Sequence, residues 1–231
     1  MCGRLAQHRA AEKYLASLGV QATLFGRAPA EEIGRYNVAP HSRVDLLRRV
    51  GEGLVWSPER WGWTPNWAKA PVRSDINATR EKVAHSAYFR QVWPNRALLC
   101  ADGWYEWCPV DGQKTKQAYY IRRGDSEPLF IPAIGQFSAA ASEPRVDDGF
   151  RIITADSQGG MLDIHDRRPV VLDALDARAW LSDIGPGDAD ELLQAHAIAV
   201  DAFVWHPVGR EVGNPRNEGP HLIEPIAWST Y

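Results

Sequence analysis

The sequence predicts an α+β fold, a single β-rich domain with a few peripheral helices. Three observations lead to this prediction. The chain has 231 residues, which is enough for one sizeable hydrophobic core. Short apolar runs between glycines and prolines predict many strands, and amphipathic helical segments are few and separate from those runs. Because no internal repeat or long linker divides the chain, the domain is expected to span residues 1–231.

The helices are predicted from apolar spacing and from their end signals. Residues 10–18 place apolar side chains on one helical face, and Gly19 ends this helix. Asp173, followed three residues later by Asp176, is a typical helix start. Helices are accordingly predicted over residues 10–18, 84–93, 173–181 and 188–197.

Strands are predicted where β-branched and aromatic residues cluster between turn formers. The stretch 97–107 has the pattern of a buried strand with a turn at Asp102-Gly103. The other predicted strands cover residues 44–47, 54–56, 118–122, 129–134, 150–154, 170–172 and 203–208.

The composition is that of a soluble protein, with 45% hydrophobic and 24% charged residues. No apolar run approaches the length of a membrane span, and no secretion signal opens the chain. Three cysteines without such a signal argue against a disulfide framework, and their spacing fits no zinc pattern. We therefore expect a cytoplasmic protein, associated with the nucleoid when it is bound to DNA, with no metal and no cofactor.

Charge is distributed unevenly along the chain. Residues 1–100 hold 15 Lys and Arg against 8 Asp and Glu, whereas residues 101–231 hold 11 against 21. Arginine outnumbers lysine by 21 to 5, which suits phosphate contacts but also fits a GC-rich genome. The asymmetry indicates a polyanion that lies across the N-terminal half.

The first four residues, MCGR, carry a specific chemical pattern. Methionine aminopeptidases remove Met1 before a small side chain, so Cys2 is expected to become the N-terminal residue. Its amine and thiol would then sit on adjacent carbons and react with an aldehyde, first as an imine and then as a five-membered thiazolidine. Gly3 permits close approach, and Arg4 places a cation beside the nucleophile. The alternative is that Cys2 occupies this position by accident.

Seven ordered motifs resemble those of the SOS-response-associated peptidase family, whose members crosslink to abasic sites in DNA. The resemblance runs from residue 1 to about residue 226 and therefore covers the predicted domain. The motifs are MCGR at 1–4, RYNVAP at 35–40, WGWTPNW at 61–67, INATRE at 76–81, LLCADGWYEW at 98–107, DIHDRRPVVL at 163–172 and WHPVGREVGNPRNEGPHLIEPI at 205–226.

The resemblance implies four chemical positions. Cys2 is similar to the family's nucleophile, and Asn77 to the asparagine that orients the amine and the sugar. Glu106 resembles the catalytic carboxylate and His165 the catalytic histidine. One position departs from the pattern, because Thr79 stands where the family has an arginine that contacts DNA, and Arg80 follows it.

The chemistry of imine formation suits these residue types. Glu106 lies among aromatic residues, and burial there would raise its pKa toward neutrality, as a general acid requires. His165 exchanges protons near neutral pH, with Asp163 or Asp166 fixing its tautomer. Asn77 offers a donor and an acceptor at once. The residues alone also allow a surface glutamate, a hydrogen-bonded loop histidine and an asparagine in a turn.

The predicted DNA contacts combine base stacking with phosphate binding. Of the three clustered tryptophans Trp61, Trp63 and Trp67, Trp67 is expected to be the exposed stacking platform, and at least one of the others to pack in the core. The segment 214–217 (NPRN) is a further candidate contact. The candidate phosphate ligands are Arg4, Arg80, Arg90, Arg167 and Arg168.

Covalent capture of abasic sites in single-stranded DNA is the leading functional hypothesis, by a monomer that needs no membrane. The adduct would shield the lesion, with weak abasic-site lyase activity through the imine. Two alternatives stay open, an N-terminal-nucleophile thiol (auto)peptidase and a non-covalent single-stranded DNA-binding protein.

Overall fold

A computed structural model describes residues 2–20, 30–68, 75–110, 112, 114–137 and 145–226. In this part of the chain, twelve strands form two sheets accompanied by four α-helices. The strands are β1 (Leu5–Gln7), β2 (Arg35–Val38), β3 (Arg43–Val50), β4 (Gly53–Arg60), β5 (Asn77–Thr79), β6 (Arg96–Ala101), β7 (Gly103–Cys108), β8 (Gln117–Arg123), β9 (Leu129–Gln136), β10 (Gly149–Asp156), β11 (Arg167–Pro169) and β12 (Phe203–Pro207). The helices are α1 (Ala11–Leu18), α2 (Arg80–Val83), α3 (Ala174–Leu181) and α4 (Pro186–Ala195).

The first sheet has five strands in the order β12-β8-β7-β1-β2. The second has the order β11-β10-β9-β6-β3-β4, and β5 pairs in parallel with β10. β6 and β7 follow each other in the chain yet belong to different sheets. The turn between them is held by buried Asp102, whose carboxylate accepts hydrogen bonds from the His8 amide (2.7 Å) and the Tyr14 hydroxyl (2.6 Å).

Alternating side chains divide the core into layers. On β6, Leu98 faces the helical side of the second sheet, whereas Leu99 faces the space between the two sheets. Helices α1, α3 and α4 all contribute to the cluster on the helical side. Cys2 belongs to the cluster between the sheets, so the fold places the start of the chain in its interior. Among the described helices, none combines the length and apolarity that a membrane crossing requires.

The predicted α+β class is confirmed, and so are helices α1 and α3. Gly19 ends α1 in the left-handed region at φ 69°, and the Asp173 side chain accepts a hydrogen bond from the Asp176 amide at the start of α3.

Two predicted elements are wrong. Residues 84–93 form successive turns, because aromatic side chains anchor this segment against the second sheet. The strand predicted at 170–172 lies earlier, as β11.

Candidate active site between the two sheets

Cys2 lies three residues before β1 and is fully buried, with 0% of its surface exposed. Its Sγ atom lies 3.9 Å from the Arg4 carbonyl oxygen. Burial raises the pKa of the thiol, and the nearby Glu106 carboxyl adds to the rise. The thiol is therefore held in its protonated form in the interior of the protein, and its place at the N-terminus after loss of Met1 stays a prediction.

Asn77 is the first residue of β5 and is 6% exposed. Its Nδ2 donates to the Cys2 carbonyl oxygen at 2.9 Å, which fixes the chain next to the thiol. Among the residues that the structure describes, its Oδ1 finds no hydrogen-bond partner. A buried acceptor without a partner is costly, so this oxygen is suited to a donor that arrives later.

Glu106 lies on β7 and points to the same face as Trp104, two residues earlier, toward the core between the sheets. Only 3% of its surface is exposed. Burial raises the pKa of its carboxyl to about 7, and the Asp166 carboxylate acts in the same direction. A carboxyl group that titrates at neutral pH can donate and accept a proton in turn.

His165 follows the short 3-10 helix Gly159–Asp163, and its Nε2 lies 3.9 Å from Glu106 Oε2. Its Nδ1 lies 3.0 Å from the Arg167 amide nitrogen and 2.6 Å from Asp166 Oδ1. The amide contact suits a ring protonated on Nε2, and the carboxylate contact suits a ring protonated on Nδ1. Burial lowers the pKa of His165, which favours the neutral ring.

Three separate elements thus meet at the start of the chain. Glu106 comes from the first sheet, Asn77 from the second, and His165 from the loop before β11. Asn77 holds the Cys2 backbone, the Glu106 carboxyl with its pKa of about 7 lies near the Cys2 thiol, and the neutral imidazole of His165 lies 3.9 Å from Glu106. This set of groups is equipped for nucleophilic chemistry that needs proton transfer in both directions.

Comparison with known proteins shows the family of the chain. The model of the SOS response associated peptidase (SRAP) family matches residues 1–215. The chain belongs to the SRAP family.

SRAP relatives match nearly the full length of the chain. The abasic site processing protein YedK of Escherichia coli (strain K12) is 41% identical over 228 residues, which cover 98% of this chain and 100% of YedK. The abasic site processing protein HMCES of Rattus norvegicus is 27% identical over 270 residues, covering 97% of this chain and 76% of HMCES. A phage-related protein from Bordetella bronchiseptica has a solved structure with a TM-score of 0.77 and 34% identity, covering 94% of this chain and 100% of that one.

The three tryptophans of the SRAP motif at 61–67 have different environments. Trp61 and Trp63 are 0% and 1% exposed and pack in the core. Trp67 is 60% exposed, and its ring lies edge-on to Tyr88 with the ring centroids 5.6 Å apart. The surface position expected of Trp67 is observed, while its contact with DNA stays a prediction.

The five arginines predicted to bind phosphate differ in accessibility. Arg90 is exposed and Arg80 is half-buried at the start of α2. Arg167 is committed to ion pairs with Asp156 (2.6 Å) and Glu81 (3.1 Å). Arg168 is 6% exposed and donates to the Ile198 carbonyl oxygen at 2.8 Å, so a direct phosphate contact would require the chain to open around it.

Arg4 is tied into the protein rather than left beside the thiol. Its Nη1 donates to Asn37 Oδ1 at 2.7 Å and to the Val212 carbonyl oxygen at 2.8 Å. Asn37 in turn donates to the carbonyl oxygens of Asn214 (2.9 Å) and Asn217 (3.0 Å). The segment 214–217 therefore supports the start of the chain through Asn37, and its predicted DNA contact stays a prediction.

Sequence reasoning missed two residues that shape the site. Asn37 is 1% exposed and links Arg4 to the C-terminal segment, and Arg151 is 3% exposed and reaches the backbone of Asn77. A signal for Arg151 was present, because a single charged residue interrupts the apolar run 150–154. A buried charge needs specific partners, and such a residue in a core strand indicates a role.

Proposed function

We propose that this protein processes abasic sites in DNA by capturing them covalently through Cys2. The observation that carries the proposal is the convergence of Asn77, Glu106 and His165 on the residue that loss of Met1 would make N-terminal. The names of YedK and HMCES, abasic site processing proteins, support the same substrate. Single-stranded DNA as the partner, a monomeric state and a cytoplasmic location are part of the proposal.

Removal of Met1 frees the Cys2 amine for attack on C1′ of the open-chain abasic sugar. The first product is a carbinolamine, which loses water and becomes an imine. The thiol then adds to the imine carbon, its proton passes to the nitrogen, and a thiazolidine results. One water molecule leaves in the whole sequence, and no oxidant or reductant is needed.

Glu106 supplies the proton for the loss of water. Because its carboxyl has a pKa of about 7, a large fraction is protonated at neutral pH and the carboxylate that remains can be reprotonated quickly. His165, neutral and 3.9 Å from Glu106, is placed to exchange protons with the opening sugar ring. Elimination from the imine would give the weak lyase activity, and closure of the thiazolidine competes with it.

Asn77 orients the nucleophile. It already holds the Cys2 carbonyl oxygen through Nδ2, and its Oδ1 is suited to accept a hydrogen bond from the freed amine. An amine held in this way keeps its lone pair directed at the sugar rather than at solvent. Such positioning contributes to the rate by lowering the entropy cost of the attack.

The proposal is tested by a denaturing gel. Purified protein is mixed with a uracil-containing single strand that has been treated with uracil glycosylase, and the expected result is a band of adduct that survives heat and detergent. A strand with a tetrahydrofuran site, which has no aldehyde, is expected to give no such band. Absence of the band with the abasic strand would overturn covalent capture, and cleavage of a peptide reporter in that case would favour a peptidase.

His165→Ala is expected to slow release of captured DNA about 100-fold, since general acid–base groups contribute on that order. Reversal requires a proton at the thiazolidine as its ring opens, and the imidazole, with Nε2 3.9 Å from Glu106 Oε2, is placed to relay that proton from the Glu106 carboxyl. Release is measured by chasing a preformed adduct with a longer abasic strand and following the exchange on a gel. His206→Ala is the control, because His206 bonds the Ile223 carbonyl oxygen at 2.8 Å, outside the site. Equal exchange rates in wild type and His165→Ala would remove His165 from reversal.

A further inference from the structure

Arg151 is a buried cation on β10 that touches three separate segments. Its Nε donates to the Trp63 carbonyl oxygen at 2.9 Å, and its Nη1 donates to the Asn77 carbonyl oxygen at 3.2 Å. Its Nη2 donates to the Tyr88 hydroxyl at 2.6 Å. One rigid guanidinium therefore sets the relative positions of Trp63, Asn77 and Tyr88.

The same guanidinium also packs against the ring of Tyr88, which lies beside the exposed Trp67. Its central carbon lies 4.9 Å from the centroid of the Tyr88 ring, within the range of a cation–π contact. Tyr88 meets the exposed Trp67 edge to face at 5.6 Å and meets the buried Trp63 in the same way at 5.6 Å. Tyr88 thus connects the buried charge to the surface indole.

A continuous path follows from these contacts. It runs from Trp67 through Tyr88 to Arg151, and from Arg151 to the backbone of Asn77, whose side chain holds Cys2. Each step is a direct contact between described residues. The groups at the two ends have different tasks, since Trp67 is placed to stack on a base and Asn77 is placed to orient the nucleophile.

We propose that Arg151 is a positioning residue that fixes the Trp67 stacking platform and Asn77 in one arrangement, so that binding of the neighbouring base and attack on the sugar depend on the same buried side chain. The inference rests on the proposed function and adds to it the source of the site's alignment. Arg151 acts through Asn77 on the rate of capture and through Tyr88 on DNA affinity.

Two variants separate these effects. Tyr88→Phe keeps the ring and removes only the hydroxyl that Arg151 holds. It is expected to weaken binding of a strand with a tetrahydrofuran site about fivefold, the low end of what one base stack contributes, with the capture rate at saturating abasic DNA unchanged. Arg151→Lys keeps the charge but loses the planar fork. It is expected to weaken binding similarly and also to lower the saturated capture rate about tenfold, as small misplacements of reacting groups do.

Arg96→Lys is the matched control. Arg96 also donates to three carbonyl oxygens, those of Trp180, Ser182 and Ile184, each at 3.0 Å, and it lies over the Trp180 ring at 5.7 Å. It begins β6, and its side chain reaches the end of α3 and the residues that follow, on the opposite side of the second sheet from Cys2. Its substitution is expected to lower the melting temperature and to leave both affinity and capture rate as in wild type.

A double substitution decides whether Tyr88 acts through Trp67. In a Trp67→Ala background, Tyr88→Phe is expected to cause no further loss of affinity, because coupled residues are not additive. Additive losses, or a capture rate in Arg151→Lys equal to that of Arg96→Lys, would overturn the inference. If Arg151→Lys does not fold, the Tyr88 and Trp67 variants still decide it. The affinity measurements use DNA without an aldehyde. They therefore test the role of Arg151 and Tyr88 in binding even if the wild-type protein forms no adduct and the proposed function fails.

Discussion

A chain that keeps a residue in front of Cys2 is expected to form no stable adduct with abasic DNA. In such a chain the Cys2 nitrogen is a peptide amide, which cannot form an imine. The thiol offers no alternative route, because it is fully buried and burial raises its pKa. Loss of the preceding residue supplies the amine that imine formation requires, so the expected effect is all or none.

The measurement compares one protein before and after proteolysis. A short extension that ends in a specific protease site directly before Cys2 is expected to give no adduct band, and cleavage is expected to restore it fully. Cys2→Ser, with its own amine free, is expected to give an adduct only when the imine is trapped with borohydride. Cys108→Ser changes a half-buried internal cysteine and should capture like wild type. An adduct formed by the uncleaved protein would contradict the mechanism.

Local patterns in the sequence were sufficient for elements that depend on neighbouring residues. Helix α1 and the Asp173 cap of α3 were predicted because their signals lie within one or two helical turns. β5 was not predicted, because a strand of three residues exists only through its parallel pairing with β10, more than seventy residues away. The helix predicted at 84–93 failed for a related reason, since packing of its aromatic residues outweighs the helical preference.

The chemical types at the site could be predicted more readily than their arrangement. An aromatic environment for Glu106 was visible in the sequence, and the burial that raises its pKa follows from it. That Glu106 and Asn77 would meet at Cys2 was implied by the family resemblance alone, because they lie in different sheets and no local pattern links them. The partners of Arg4 and Arg151 were hidden for the same reason, since each reaches residues distant in the chain.

Glu106→Gln is expected to lower the rate of capture about 100-fold at neutral pH while DNA affinity stays within about twofold, because the loss is that of a general acid and not of a binding group. Glutamine fills the same volume and keeps hydrogen-bonding groups in a site that is 3% exposed, so the fold should persist. The rate is measured at saturating abasic DNA on quenched gels, and the affinity with a strand that carries a tetrahydrofuran site. Parallel losses of rate and affinity would instead assign Glu106 a binding or structural role.

The pH profile provides a second and independent test of Glu106. Capture needs Glu106 protonated, which is lost as the pH rises through its pKa of about 7. It also needs the Cys2 amine unprotonated, which is gained as the pH rises through about 8, the usual value for an α-amine. The wild-type rate should therefore pass through a maximum between these two values and fall on both sides. In Glu106→Gln the alkaline fall should disappear, so that the residual rate only rises with pH and then levels off. An alkaline fall that persists in Glu106→Gln would show that another group donates the proton.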